Sequence, residues 1–492
     1  MSATSRVQGG FVRRGLSVFF CFVLITFGLT GLGGPAGAST PTMTRVRLIL
    51  STTSEFASLR FTETYISTYH VTSKSVNASI TRGSNVLLVS GTGAVSATID
   101  MVLTVPTNAS PVLVLSKGKA GSATAKVIRS NTTSAIVADF TNNESDGDYV
   151  VTRSIARSSL VGEGLTIPRL DQRKLVMAFY YPWFEEGKFS NGKMWYDTPT
   201  GSYATNTPKD VAAQVNLAAA NGISGFIFSW DALYDRPKRF QYLLDAAAAR
   251  TGFYASPVLE LMTWRNFNGS FDVNAAINAA AAALNYANHP SFLRMPDGTP
   301  VLFAFGTNDF GASNWRAVAS ALTARGYDFF AVGDSPDAAF GFDGAYSYNP
   351  NGKTYQQLVN RNVATANALR LAAQVNPAVP QRLWAATASP GQNMSYLNPL
   401  SPKNVPREEG AQYDRTWRAS LISSPEWVLV TSWNEWFEAT HIAPSEKFGT
   451  RALTQTRGWS ATFKEPATAT PTSAEAQLID LPLRLGRFGA LR

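Results

Sequence analysis

The chain has 492 residues, 45% hydrophobic and 16% charged, with 11 Trp, 17 Tyr, 29 Phe and a single Cys. That length supports about two or three domains with ample core, and the aromatic content excludes disorder over most of it. One Cys rules out a disulfide framework or a cysteine zinc site, and a formal charge of +9 without any dense Lys/Arg block disfavours nucleic acid as a partner.

Residues 1–38 read as an export signal. Arg13-Arg14 precede an apolar stretch from Leu16 to Leu32, and Ala36-Gly37-Ala38 supplies a small-x-small cleavage pattern. The alternative is an uncleaved anchor, since the stretch is at the short limit for a membrane span. Cys21 lies inside this segment, so the mature protein would be cysteine-free and secreted, cell-surface or periplasmic, with no stable membrane insertion.

Residues 44–155 alternate apolar and small polar residues, as in Val46-Arg47-Leu48-Ile49-Leu50, with Gly and Asn punctuation. This spacing predicts a small all-β sandwich. It holds no Trp, only Tyr65, Tyr69, Tyr149 and three Phe, which favours a spacer over a glycan-binding module. A basic stretch over 156–173 reads as a linker.

From residue 174 to 464, apolar runs alternate with alanine-rich helical segments. Strands are expected at 175–180, 223–229, 256–261, 300–305, 329–333, 344–347, 382–387 and 427–432. Helices are expected at 208–221, 239–250, 273–287, 314–325, 355–375, 413–423 and 450–463. Eight strands in this alternation predict an α/β fold, a (β/α)8 TIM barrel. A doubly wound sheet is the rival, but no Gly-rich phosphate loop follows the first strand. Residues 465–492 read as a surface tail.

A barrel of this kind carries its chemistry at the C-terminal ends of its strands. There the sequence places Tyr180, Tyr181 and Trp183 (strand one), Trp230 and Asp231 (strand two) and Glu260 (strand three). Strand six gives Tyr346 and Tyr348, and strand eight runs into Trp433-Asn434-Glu435-Trp436-Phe437-Glu438. One helical turn would put Glu435 and Glu438 on one face, at roughly 5–6 Å between Cβ atoms. Two carboxylates at about 5 Å suit a retaining glycosidase. Trp433 and Trp436 would exclude water and offer faces for a sugar.

The bland alternative is a solvated acidic turn with both tryptophans in the core. Glu260 reads equally as a substrate contact or half of a buried ion pair. Asp231 could bind hydroxyls or cap the following helix, as could Asp334. His441 reads equally as a site residue or a satisfied structural histidine. Tyr180 and Tyr181 alternate, so one faces the mouth and the other the packing layer. His70, His289 and His441 are the only histidines, and no metal or cofactor is expected.

Phe179-Tyr180-Tyr181-Pro182-Trp183, Gly222-Ile223-Ser224-Gly225-Phe226, His289-Pro290-Ser291-Phe292, Phe342-Asp343-Gly344-Ala345-Tyr346-Ser347-Tyr348 and the run from Trp427 through Ser445 resemble glycoside hydrolase family 99 and its family-99-like relatives. The resemblance covers 174–464 in collinear order. It implies a metal-free (β/α)8 enzyme acting on α-mannosides within an oligo- or polysaccharide, with retention of configuration. It further implies that Glu435 acts as base on the sugar 2-hydroxyl, which forms a 1,2-anhydro sugar. Glu438 would protonate the leaving oxygen and then activate water.

Departures from the family pattern are Phe437 and Ala439, where His and Gly are common, and His441-Ile442-Ala443-Pro444 in place of Gln-Ile-Glu-Pro. A non-catalytic glycan-binding protein and a transglycosylating enzyme of polysaccharide assembly remain rival readings.

Overall fold

The computed structural model describes residues 41–145, 149–190, 195–395, 397 and 404–465. The expected export signal over 1–38 and the expected tail beyond Glu465 lie outside the described residues.

Alternation in the first domain produces two five-stranded antiparallel sheets. The strand Thr42–Thr52 pairs with Val95–Val105 in the register Thr42↔Val105, and sends Val46, Leu48 and Leu50 inward, all fully buried. Leu59, Leu87, Leu113 and Leu115 face them from the other sheet within one shared core, which is how period-two patterning closes a sandwich. The expected linker is partly ordered into this core. Residues Arg157–Val161 form a short helix that buries Leu160 and Val161 among the sandwich residues.

The second domain is a closed eight-stranded parallel barrel. Its strands are Val176–Tyr180, Gly225–Trp230, Tyr254–Glu260, Val301–Phe305, Phe330–Gly333, Gly344–Tyr346, Leu383–Ala388 and Trp427–Val430. Each starts and ends within about two residues of its expected position. Strand eight closes the ring by pairing with both strand seven and strand one. The connection from strand five to strand six carries only a 3₁₀ turn, Ala338–Phe340, in place of a full helix.

Local sequence sets the helix ends. Thr207 caps the helix Pro208–Ala220 by accepting the Asp210 N–H, and Pro208 occupies its first turn. Gly222, at φ +83°, turns the chain into strand two. No helix among the described residues is long and apolar enough to cross a membrane.

Aromatic side chains fill the barrel interior in layers. Tyr346 packs on Phe179 (5.6 Å between centroids) and Phe303 (5.9 Å), and Phe303 on Trp427 (6.2 Å). The floor is polar and paired. The Trp427 indole N–H donates to Asp171 Oδ2 (2.9 Å), and Arg173 forks onto the same carboxylate through Nη2 at 2.7 Å. Burial pushes Asp171 up, but Arg173 and the indole outweigh it and hold the carboxyl below its ordinary value.

The sandwich attaches through the far end of the helix Tyr355–Val375. There Leu371 and Val375 pack with Val102, Met43 and Ile167. This helix starts on the mouth side after strand six, so the sandwich sits toward the opposite end of the barrel.

Breaking a buried ion pair on one side strands the other charge. Asp171→Ala is expected to cost about 3–5 kcal/mol in a chemical denaturation of the full chain, whereas Asp100→Ala, which breaks a partly exposed sandwich pair with Arg47, should cost about 1 kcal/mol or less.

Candidate active site

Beyond strand eight the chain crosses the barrel mouth as a cross-braced loop rather than the helical turn expected from the Glu-x-x-Glu spacing. Ser432 N–H donates to Thr440 carbonyl (2.9 Å), Thr440 N–H to Glu435 carbonyl (3.3 Å), and Ser432 Oγ accepts from Glu435 N–H (2.8 Å). Ala439 takes a left-handed conformation at φ +53°, a position that glycine would fill without steric cost. Asn434 ties the loop to strand one: its amide accepts from Tyr181 N–H (2.7 Å) and donates to Tyr181 carbonyl (2.8 Å).

Glu435 is buried, at 6% exposure, and accepts the Phe437 N–H at 3.1 Å. Burial raises its carboxyl well above the ordinary range, and the charge of Glu438 and then that of Glu260 push the same way, against the Phe437 N–H. Glu438 is half-buried. Gln392 Nε2 donates to its Oε2 at 3.1 Å, and Asn349 holds the other end of that Gln392 amide at 3.0 Å.

Glu260 closes the group from strand three, accepting the Ser229 hydroxyl at 2.7 Å. Burial lifts Glu260 to about 7, aided by the charges of Asp231, Asp334 and Glu438 and opposed by Ser229. Among the described residues neither Glu260 nor Glu435 has a Lys, Arg or His within ion-pair distance. The buried ion pair, one of the two readings of Glu260, is therefore not formed.

Two tyrosines complete the mouth. The hydroxyls of Tyr181 and Tyr348 hydrogen-bond to each other. Burial raises both phenols well above 10, and nearby carboxylates add to it. The Tyr348 ring lies against Phe179 (5.0 Å) and Phe305 (4.8 Å). Half-buried Trp183 packs on Tyr181 (4.8 Å), and its indole N–H has no hydrogen-bond partner among the described residues.

The remaining expected contacts are turned elsewhere. Tyr180 stacks on Phe226 (4.8 Å) in the layer between strands and helices, so Tyr181 is the member of the pair at the mouth. Trp230 also faces outward, donating its N–H to Ala279 carbonyl (2.8 Å). Trp433 donates to Gln214 Oε1 (3.0 Å) and packs on Phe226, fully buried. Tyr346 lies one layer below the mouth with its hydroxyl on Ala304 carbonyl (3.1 Å). Asp231 accepts the Leu233 N–H (2.9 Å) and faces Arg236 at 3.7 Å, a turn-stabilising position. Asp334 accepts the Gly306 and Thr307 N–H groups at 3.0 Å each and so caps the short helix Thr307–Phe310.

Trp436 and His441 form the wall behind the loop. Their rings stack at 4.0 Å, both are buried, and His441 Nε2 lies 2.9 Å from Asp197 Oδ2. Burial and the Arg407 charge lower His441 to about 4 against the pull of Asp197, so it is neutral at pH 7. Asp197 is a residue that sequence reasoning missed. It also accepts the Lys447 N–H (2.9 Å), fastening the chain beyond His441.

The profile of glycosyl hydrolase family 99 matches residues 191–453, more than half of the chain. The chain belongs to glycosyl hydrolase family 99. Glycoprotein endo-alpha-1,2-mannosidase of Rattus norvegicus is 23% identical over 351 residues, covering 58% of this chain and 73% of that protein. The Mus musculus protein of the same name is 24% identical over 268 residues, covering 49% and 55%. The solved family-99 endo-alpha-mannosidase of Bacteroides thetaiotaomicron superposes with a TM-score of 0.50 at 20% identity, over 61% of this chain and all of that one. At that identity the likeness speaks for the shared barrel fold.

A carboxyl raised on folding contributes stability that is present below its unfolded value and lost as pH rises through its folded value. For Glu260 that window runs from about 4.5 to about 7. Glu260→Gln should therefore be more stable than wild type at pH 8, by on the order of 1–3 kcal/mol, with the gap closing below pH 5. Thermal melts across that range check it.

Proposed function

We propose that this family-99 glycoside hydrolase is secreted and cleaves α-linked glycans, α-mannans foremost, through the 2-hydroxyl of the sugar itself. The observation that carries the reading is the pair Glu435 and Glu438, electrostatically coupled at the mouth and next to a third, Glu260. A buried group of this kind cannot ionise fully, so it holds protons near neutrality, as acid–base catalysis requires.

Glu435 takes the proton from the 2-hydroxyl as that oxygen attacks the anomeric carbon. The bond from that carbon to the leaving oxygen breaks, and Glu438 supplies the proton to it. Water then attacks the anomeric carbon, returning a proton to Glu438, and the epoxide opens as its oxygen recovers the proton held by Glu435. Two inversions give net retention. Mannose suits this course because its axial 2-hydroxyl lies trans to an α leaving group.

In the free site burial and the Glu438 charge favour the protonated form of Glu435, and the Gln392 amide donates to Glu438. Substrate reverses this. A 2-hydroxyl donating to Glu435 stabilises its anion, and a glycosidic oxygen selects the protonated form of Glu438. In this reading Tyr181, Tyr348 and Trp183, which contact one another at the mouth, meet sugar hydroxyls and ring faces.

Glu435→Gln and Glu438→Gln should each lower kcat/KM on α-mannan by about 10²–10⁴-fold with thermal melts that report an intact fold. Wild-type turnover in either variant overturns the assignment. Binding with no product from the wild type, across α-mannans, α-glucans and arabinans, would favour a glycan-binding role instead.

A further inference from the structure

Beside Glu438 a cavity of about 420 Å³ opens to the surface, within the usual range of small-molecule sites. Gln392, whose amide donates to Glu438, is part of its wall, and so is Ala439 on the loop that carries both acids. Gln392 thus touches both the cavity and Glu438.

Its chemistry is cationic. Arg407 donates through Nη2 to the carbonyls of Ala439 (3.0 Å) and His441 (2.7 Å), and its guanidinium carbon sits 4.0 Å from the Phe448 ring centre. Lys447 Nζ sits 3.5 Å from the Tyr196 ring centre. Among the described residues neither cation has a carboxylate within ion-pair distance.

The two acids in the wall are each paired with an arginine. Glu408 pairs with Arg415 at 2.6 Å and Glu409 with Arg451. Asp197, whose charge attracts Arg407, is not part of the wall, and its oxygens meet His441 Nε2 and the Thr198 and Lys447 N–H groups. The cations also occupy a face of each ring that a neutral sugar would stack on.

We propose that this cavity is an anion-binding subsite that takes a carboxylate or phosphate substituent of the glycan on the Glu438 side of the scissile bond. Recognition works through the Lys447 ammonium, with the Arg407 guanidinium in the same wall, groups that bind anions by charge-assisted hydrogen bonds. Burial lowers Arg407 only to about 10, so it keeps its charge at neutral pH. The subsite rests on the reading of the mouth as an α-glycosidase site, so its test separates binding from turnover.

Mannose 6-phosphate, glucuronate and neutral mannose are titrated into the full chain by calorimetry, with wild type and Lys447→Gln. At least one anionic probe should bind tighter than mannose, weaken with added salt, and lose about tenfold in affinity in Lys447→Gln. The tighter of the two anions identifies phosphate or carboxylate as the source. Equal binding of charged and neutral probes overturns the subsite, as does anion affinity unchanged in a Lys447→Gln protein whose melt shows it folded. Anion binding without hydrolysis of any α-glycan would overturn the glycosidase reading alone. Hydrolysis without anion binding would overturn the subsite alone.

Discussion

The organisation of the mouth follows from one electrostatic constraint: carboxyl groups are buried together, and among the described residues no cation lies within ion-pair distance of Glu435 or Glu260. Removing an anion from water is costly, and a neighbouring like charge adds to that cost, so such groups keep protons instead. Burial is the largest cause of the upward shift at Glu435 and at Glu260 alike. A surface pair of acids would have neither the proton nor the basicity that glycoside cleavage demands.

The rest of the barrel mouth serves to hold that unfavourable group in place. Asn434 commits both ends of its amide to Tyr181, Gln392 is aimed at Glu438 by Asn349, and Ser229 holds Glu260. Trp436 and His441 stack behind the loop, with Asp197 anchoring the imidazole. These contacts are uncharged or internally paired, so they orient the acids without supplying the positive charge that would quench them. Positive charge appears at Arg407 and Lys447, in the wall of the cavity that Gln392 also lines.

Much of this was legible in the sequence. Period-two alternation marked the sandwich, and the alternation of apolar runs with alanine-rich segments placed every barrel strand. The strand-eight run pointed to Glu435 and Glu438 because strand ends carry a barrel's chemistry. Orientation was harder to read. Tyr180, Trp230 and Trp433 sit at strand ends but turn into the helix layer, where Phe226, Ala279 and Gln214 receive them. Gln392 and Asp197 had no local signal at all, being single polar residues brought to the loop from elsewhere in the chain. Ala439 adopts a positive φ that its residue type did not signal.

The protonation of Glu435 in the free protein is the most direct test of that electrostatic constraint. With carboxyl-labelled glutamate, the ¹³C signal that disappears in Glu435→Gln is followed against pH. A signal still in its protonated position at pH 6 is the predicted result. Titration at the ordinary glutamate value, about 4.3, would contradict a mouth governed by burial and by the neighbouring acids.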